Sequence, residues 1–545
     1  MKKIIAGVLV AVLWFAVVIT YTVVAMKGDG DEDGHEFTIL TVKEETVKDY
    51  NTMPVFKALA RETGRDVYWT YNTSTQYANN TDPVGINGID AIYHSGFSNL
   101  QLYNYGSRGR IVAIDEYLKY MPNFSKILQD RPDIAEALKS PPTPDAPEGH
   151  IYSLPRVEEM GLKAYPNILF LNKTWVEKLI DLNELPAEVG LEKSDLTDGL
   201  VLKRSQFKAI LQKFNDLDMD GDGSSENEIP LTFVSGNWQG NESDLIASFG
   251  VPENVEHKTI VDGKVSFTVE NENWFNAVKE LNDWYNKKLI RSTAFTQTQD
   301  EFLAKGQDGR YGAFYWWEKE TVVAKNLQEN YIMLQPLVDD ATGKQYVGQS
   351  NELEIEKGEC VILSSCKDKE GLLSYFDKFF EPLYSAQLNY GSIESGAFEK
   401  QKEGEKLIPN DDHGAQSADD FRMKNAPYGV VYLTGDVWEN HVEMEARAKL
   451  RLQRLEEYLK NNSFENVKAI PNLNYTKDEL DTLNRYENSL GKNITSWMIN
   501  KITSSGAPTL SDWQSFLKTN ETSIQQVKNV NQKAYDRYVE ATTRK

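Results

Sequence analysis

Cysteine is nearly absent from this chain, whose 545 residues include only Cys360 and Cys366. The apolar run between them, Val361 to Leu363, predicts a strand. Six positions of extended chain span about 20 Å, much farther than a disulfide reaches. This scarcity argues against a disulfide-stapled scaffold and a cysteine zinc site. We therefore expect two buried cysteines with free thiols.

Histidine and catalytic motifs are also scarce. The six histidines do not stand in metal-ligand spacing with one another, so a histidine-based metal site or catalytic triad has little support. The sequence has no GxSxG elbow, P-loop, HExxH motif or GxGxxG loop after a strand. Carboxylates are so abundant that they give no specific evidence for a glycosidase pair. We predict that the chain is not an enzyme, with an extracellular glycoside hydrolase or lyase as the alternative.

Positive charge is in deficit, because 59 Lys and Arg stand against 82 Asp and Glu and give a formal net charge of −23. Nucleic acid requires a basic surface, so no nucleic-acid partner is expected. The composition, with 40% hydrophobic and 26% charged residues, is that of a folded globular protein. A chain of 545 residues is too long for one compact core, so we expect at least two domains in a monomer.

The N-terminus carries an apolar run from Ile4 to Met26, preceded by two lysines and followed by an acidic stretch. Its length suits a membrane-spanning helix better than the core of a signal peptide. The positive flank is expected to stay inside, which places the rest of the chain on the extracellular face of the cell membrane. Residues 1–28 are therefore predicted to be a membrane anchor, with a signal peptide cleaved after Ala25 as the alternative.

An acidic loop runs from Asp216 to Thr232, DLDMDGDGSSENEIPLT, with small or apolar residues between its carboxylates. Calcium takes several oxygens from a loop that turns sharply at a glycine. Of two possible registers, the one that starts at Asp218 is preferred because it recruits Glu226 and Glu228, although Glu228 then closes the loop one position early. It predicts a structural Ca²⁺ site with ligands from Asp218, Asp220, Asp222, Ser224, Glu226 and Glu228. A solvated acidic turn is the alternative.

This loop, which leads into Glu228-Ile229-Pro230-Leu231, resembles the calcium loop of the extracellular solute-binding proteins of family 1, the receptors of carbohydrate ABC transporters. The order of other short segments is also similar to that family: Gly109–Val112, Ile151–Pro155, Leu169–Lys173, Phe302–Gly306 with Tyr311–Phe314, and Ala534–Tyr538. The chain departs from the family in two ways. Its loop is one residue longer between Gly223 and Glu228, and no cysteine follows the apolar run to form the usual lipoprotein anchor.

Strands and helices alternate early in the chain, as in Glu36–Val42, Pro54–Thr63 and Val67–Tyr71, which predicts a parallel α/β sheet. The resemblance implies a two-lobed, periplasmic-binding-protein-like type II fold with a hinge and an interlobe cleft. The expected domains are residues 36–160 as the first part of the N-lobe, 161–305 as the first part of the C-lobe with the calcium loop at 216–229, 306–415 as the N-lobe return and hinge, and 416–545 as the last part of the C-lobe.

Aromatic residues cluster where predicted strands meet loops. Sugar rings lie on aromatic planes while their hydroxyls need polar partners, and open α/β sheets bind ligands at the carboxyl ends of strands. Trp316 and Trp317 are adjacent and cannot both face one core from a strand, so one of them is expected to meet a ligand. The candidate ligand-binding residues are Trp69, Tyr71, Tyr93, Trp238, Tyr315, Trp316, Trp317 and Glu318. Core packing is the alternative for each single aromatic.

These observations predict an extracytoplasmic solute-binding protein that captures an oligosaccharide or another polyhydroxylated solute for an ABC transporter permease. The missing anchor cysteine leaves room for a membrane-anchored sugar sensor. An adhesion or scaffold module without a deep cleft is a further alternative.

Overall fold

The computed structural model describes residues 36–43, 46–72, 82–83, 85–399, 405–410, 412–414 and 416–543. Within these ranges, no helix has both the length and the apolar composition required to cross a membrane. The predicted N-terminal anchor, residues 1–28, lies outside the described residues.

Strands and helices are numbered in chain order. The strands are β1 (Phe37–Val42), β2 (Val67–Asn72), β3 (Ala91–Tyr93), β4 (Leu154–Glu158), β5 (Ile168–Asn172), β6 (Ile229–Thr232), β7 (Lys258–Val261), β8 (Lys264–Phe267), β9 (Tyr311–Trp316), β10 (Tyr331–Met333), β11 (Ile355–Ile362), β12 (Val431–Leu433) and β13 (Val467–Lys468). The α-helices are α1 (Pro54–Thr63), α2 (Asn99–Gly106), α3 (Pro122–Asp130), α4 (Pro132–Leu138), α5 (Lys173–Asp181), α6 (Arg204–Asp216), α7 (Ser243–Ala247), α8 (Glu272–Asn286), α9 (Gln299–Gln307), α10 (Lys369–Asp377), α11 (Pro382–Tyr390), α12 (Ala418–Asn425), α13 (Gly435–Asn440), α14 (Ala446–Leu459), α15 (Lys477–Ile502) and α16 (Leu510–Thr543). Short 3₁₀ helices span Tyr50–Thr52, Ile114–Tyr120, Lys193–Asp195, Thr268–Glu270, Ser292–Phe295, Lys325–Asn330, Lys378–Phe380 and Ile393–Ser395.

The first lobe is built on a six-stranded sheet in the order β12-β4-β11-β3-β1-β2. β1 is parallel to β2 and β3, β4 is parallel to β12, and β11 runs antiparallel between β3 and β4. Every residue of β3 is buried, as expected for an inner strand covered on both faces. The carboxyl ends of β1 to β4 therefore share one edge, and the chain leaves for the second lobe from this edge.

The second lobe contains a four-stranded sheet in the order β10-β5-β9-β6. β5 is antiparallel to β9 and β10, whereas β6 is parallel to β9. All residues of β9, YGAFYW, are buried, so the strand is one continuous apolar run. A three-stranded sheet, β13-β7-β8, and the long pair α15 and α16 complete this lobe.

The chain passes between the lobes after β4, after β10 and between α13 and α14. The structure places the lobe boundaries differently from the predicted domains. β9 and β10 pair with β5, so residues 306–333 lie in the second lobe and the return comes before β11. β12 pairs with β4, so the first lobe extends beyond residue 415. An apolar strand does not specify which sheet it joins, and only its pairing partner decides this.

Hydrogen bonds tie two crossing segments together at the hinge. Glu354 Oε1 accepts from the backbone N–H groups of Met160 at 3.1 Å and Gly161 at 2.6 Å. Lys163 Nζ donates to the carbonyl of Leu353 at 3.2 Å. These hydrogen bonds thus link the two crossing segments to each other.

The two cysteines lie in the first lobe. Cys360, in β11, and Cys366 are both buried and form no disulfide, which confirms the expectation of free thiols. Burial raises the pKa of the Cys366 thiol to about 12, so it stays protonated at neutral pH.

Candidate functional site

Two tryptophans meet at one edge of the second sheet. β6 and β9 are parallel, so their carboxyl ends share this edge; Trp317 follows β9 directly, and Trp238 lies in the loop after β6. Their ring centroids are 5.1 Å apart and the planes are at 88°. Both side chains are half-buried, so this edge-to-face pair leaves aromatic surface that a ligand can reach.

The neighbouring aromatic residues of β9 are buried in the interior of the lobe. Trp316 is 1% exposed and stacks on Phe302 with centroids 4.9 Å apart. Its Nε1 donates to Thr321 Oγ1 at 3.1 Å. Tyr315 is also 1% exposed and packs in the main core of the lobe. Both faces of β9 are therefore covered by protein, and Trp317 is less buried because it lies just beyond the last residue of the strand, Trp316.

Helix α14 places arginines against Trp317 and Glu318. Arg447, Arg451 and Arg454 are three and four residues apart and share one helix face. The Arg451 guanidinium lies 4.3 Å from the centre of the Trp317 ring. Glu318 is 1% exposed; Arg447 Nη2 lies 2.6 Å from its carboxylate and Arg451 Nε lies 3.1 Å from it. This buried carboxylate therefore has two cationic partners, as a buried charge requires.

An ion pair beside this cluster joins the two lobes. Arg447 Nη1 and Nη2 donate to the Asp419 carboxylate at 2.7 and 2.8 Å. Asp419 belongs to α12, which packs on α11 in the first lobe. Burial raises the pKa of Asp419, but the hydrogen bonds and charge of Arg447 outweigh burial and lower it overall. Glu318, Arg447 and Asp419 thus form a continuous chain of charges across the lobes, which we call the interlobe bridge.

A second charged group lies in the first lobe near α12. The Arg422 guanidinium is 4.3 Å from the Tyr390 ring centre and 5.3 Å from that of Tyr428. Glu158, at the end of β4, pairs with Arg156 and, at 3.4 Å, with Arg422. Burial alone would raise the pKa of Glu158, but the two arginines lower it to about 2. This group therefore holds two arginines against one carboxylate.

The candidate ligand-binding aromatics of the first lobe lie mainly in the interior of that lobe. Trp69 is 1% exposed and lies in the aromatic core, its ring centroid 5.2 Å from that of Tyr93. Tyr93 is fully buried, and its hydroxyl donates to the carbonyl of Tyr428 at 2.5 Å. Tyr71 is half-buried and donates to Asp49 Oδ1 at 2.6 Å. Tyr93 is covered because β3 is an inner strand of the sheet, whereas Trp69 lies in the edge strand β2 and is covered by the rings of Tyr50 and Phe56.

The structure brings Trp238, Trp317 and Glu318 together in one cluster. Glu318 lies behind the arginines rather than at the surface. The sequence analysis missed Arg447, Arg451 and Asp419. A signal was present, since arginines recur at helical spacing at the start of a helix rich in charge and leucine. The sequence does not show that these arginines meet the first lobe, because this depends on where the chain crosses between the lobes before α14.

The acidic loop between α6 and β6 gathers three carboxylates. Oxygens of Asp218, Asp220 and Glu228 lie within 4.8 Å of one another. Glu228 is 1% exposed; its Oε1 accepts from the N–H of Met219 at 2.6 Å, and its Oε2 is buried without a protein partner. A buried carboxylate oxygen without a donor is costly unless a cation satisfies it. Such a set of hard oxygens fits Ca²⁺.

The other predicted ligands of the loop have different contacts. Asp222 Oδ2 accepts from Asn227 Nδ2 at 2.6 Å, and Ser224 Oγ accepts from the N–H of Glu226 at 3.2 Å. The Glu226 side chain is 78% exposed and lies 3.7 Å from Lys288 Nζ. Among the acidic side chains near the end of the loop, Glu228 turns inward and Glu226 turns toward solvent.

Comparison with known proteins bears on these arrangements. No protein-family model matches the chain. The fructooligosaccharide ABC transporter substrate-binding protein FusA of Streptococcus pneumoniae serotype 4 is 29% identical over 508 residues, which cover 90% of this chain and 88% of the relative. The solved structure of FusA in complex with kestose aligns with a TM-score of 0.81 at 27% identity, over 93% of this chain and 99% of that chain. The chain is a two-lobed solute-binding protein.

Two further structures extend the comparison for this solute-binding protein. A FusA EF-hand mutant in complex with fructo-nystose aligns with a TM-score of 0.81. An HMO-binding, ABC-transporter-associated solute-binding protein from Bifidobacterium longum infantis aligns with a TM-score of 0.74 over 92% of this chain and 98% of that chain, at 18% identity, and shows the fold alone. These findings confirm the two-lobed α/β fold and the predicted resemblance. FusA is a substrate-binding protein, which confirms that the chain is not an enzyme.

Proposed function

We propose that this protein captures a fructose-containing oligosaccharide in the cleft between its lobes and delivers it to an ABC transporter permease. The observation that carries the proposal is the cluster of Trp238, Trp317 and Arg451 beside the interlobe bridge. It lies on a fold that aligns over nearly its whole length with a kestose complex of FusA.

The chemistry of the cluster suits a sugar. The two tryptophan rings offer flat apolar surface for the C–H face of a sugar ring. Arg447 and Arg451 supply hydrogen-bond donors for hydroxyl groups, and Asp419 supplies acceptors. Glu318 and Asp419 balance the two arginines in charge. A site with this balance favours a neutral polyhydroxylated ligand over an anion.

The acidic loop supports a second part of the proposal, a structural calcium ion. Asp218, Asp220 and Glu228 would hold it, and the unpartnered Oε2 of Glu228 favours a cation there. The FusA EF-hand mutant points to a related loop in that relative. A bound ion would neutralise the clustered carboxylates and fix the segment that leads into β6, a strand of the site-bearing sheet.

The location follows from the same function. We propose that the chain works as a monomer on the extracellular face of the cell membrane, held there by residues 1–28. Capture for a permease requires this placement, and the apolar N-terminal run supports it.

Isothermal titration calorimetry with kestose tests the proposal. Replacing Trp317 with alanine should weaken kestose binding about tenfold or more, because a central aromatic anchor is lost. Tyr346→Ala is the matched control, since Tyr346 is a half-buried aromatic of the same lobe that packs on Phe464 instead. The wild-type protein should release no monosaccharide during incubation. Absence of sugar binding, or equal affinity in the two variants, would overturn the proposal.

A further inference from the structure

A loop of the first lobe, Pro427–Val430, holds an aromatic residue in an unusual backbone conformation. Tyr428 has a φ of 55°, in the left-handed region that a bulky non-glycine residue rarely adopts. Such a conformation persists only where the surrounding structure imposes it, and it is concentrated at functional sites. We therefore looked at what imposes it and what the loop displays.

Three side chains that are distant from the loop in sequence contact its backbone. The Tyr93 hydroxyl donates to the Tyr428 carbonyl at 2.5 Å and accepts from the N–H of Val430 at 3.0 Å. The Tyr50 hydroxyl donates to the Pro427 carbonyl at 3.0 Å. His94 Nε2 lies 2.9 Å from the same carbonyl, which can only accept. Both tyrosines are buried, so these hydrogen bonds are shielded from water.

Close packing fixes the loop as well. Gly429 has a φ of 85°, and a Cβ atom added there would lie 2.4 Å from the Tyr93 ring. Only glycine fits such a position. Tyr93 therefore sets the path of the loop by its ring and by its hydroxyl.

The loop leads into the amino end of β12 and contacts Tyr93 and His94 at the carboxyl end of β3. The Tyr428 side chain is half-buried. Burial is the main reason that the pKa of Tyr428 is raised, and the nearby charges of Arg422 and Asp419 act on it in opposite directions. The Arg422 guanidinium lies 5.3 Å from the centre of the Tyr428 ring, so Tyr428 lies beside α12, the helix that also carries Asp419 of the interlobe bridge.

We infer that Tyr428 contacts the sugar from the first lobe and that Tyr93 is the positioning residue that aims it. The inference rests on the proposed function, and it adds the first-lobe side of the site to Trp238 and Trp317 of the second lobe. A sugar held between lobes needs a partner on each one, since contact with both is what favours closure.

Kestose titration of single variants tests the contact. Tyr428→Ala should weaken binding about tenfold, whereas Tyr428→Phe, which keeps the ring, should retain most of the affinity. Tyr93→Phe removes only the hydroxyl that holds the loop and should weaken binding several-fold. Tyr375→Phe is the matched control, because Tyr375 is another fully buried first-lobe tyrosine and its hydroxyl has no partner.

A double-mutant cycle separates positioning from a general structural effect. If Tyr93 acts through Tyr428, Tyr93→Phe should have no further effect on kestose affinity in the Tyr428→Ala background. Additive losses would overturn the positioning role. Unchanged affinity in Tyr428→Ala, together with a loss in Trp317→Ala, would overturn this inference and leave the proposed function standing. Failure of the wild type to bind kestose would instead remove the proposed function.

Discussion

Glu228 offers a sharp test of the acidic loop. Replacing it with glutamine keeps the size of the side chain but removes one negative charge from the group that it forms with Asp218 and Asp220. Glu228 is 1% exposed and its Oε2 has no protein partner. With calcium bound, the substitution should weaken the site. With calcium removed, it should leave stability unchanged or raised, because repulsion among the carboxylates is relieved.

The magnitude follows from mass action. With a dissociation constant of about 10 µM, within the range of EF-hand loops, about 1 mM calcium stabilises the folded state by about 2.7 kcal/mol. One kcal/mol shifts the melting temperature of a lobe-sized domain by about 2–4 °C, so calcium should raise it by about 5–11 °C. If Glu228→Gln weakens the site tenfold, the same calcium concentration stabilises the folded state by only about 1.4 kcal/mol. Calcium should then raise the melting temperature by about 3–6 °C.

Differential scanning calorimetry in calcium and in EGTA measures these shifts. Glu226→Gln is the matched control, because the Glu226 side chain is 78% exposed and lies outside the group of three. It should keep the wild-type response. The reasoning is refuted if the wild type does not respond to calcium. It is also refuted if Glu226→Gln loses as much of the response as Glu228→Gln does.

Three other substitutions test the structure. Asp419→Asn should weaken the interlobe bridge and increase the radius of gyration of the ligand-free protein in small-angle X-ray scattering. Asp420→Asn is the control and should not increase it, because the Asp420 carboxylate instead accepts from the serine that caps the same helix. Asp244 is buried and burial raises its pKa well above the ordinary value, so the folded state prefers the protonated acid. Stability should therefore fall as pH rises from about 4 toward the raised pKa, and urea unfolding across pH should show a flatter profile for Asp244→Asn. Gly429→Ala should lower the melting temperature by several degrees, because of its φ of 85° and the clash with a buried ring. Gly435→Ala, where nothing lies within 4 Å of the added Cβ, should change it little.

Local features of the molecule were predictable because their causes are local. The alternating apolar segments predict the strands of the first lobe, and the acidic, glycine-containing run predicts a tight loop that gathers carboxylates. The apolar residues around Cys360 predict its burial. Trp316 and Trp317 were predicted to differ in environment, and they do, because β9 ends at Trp316 and Trp317 lies just beyond it. The order of short motifs also identified the solute-binding fold.

Only the tertiary structure decided which sheet each strand joins and which side chains meet. β9 is as apolar as an inner strand of either lobe, and its pairing with β5 and β6 places Trp317 at the edge of the second-lobe sheet, beside Trp238. The sequence predicted that Tyr93 binds the ligand, but in the structure Tyr93 is buried beneath the loop that carries Tyr428. Asp419 and Arg447 belong to different lobes, and their contact depends on where the chain crosses between them. Sequence periodicity reports the immediate environment of a residue, whereas the partner it meets depends on the packing of distant segments.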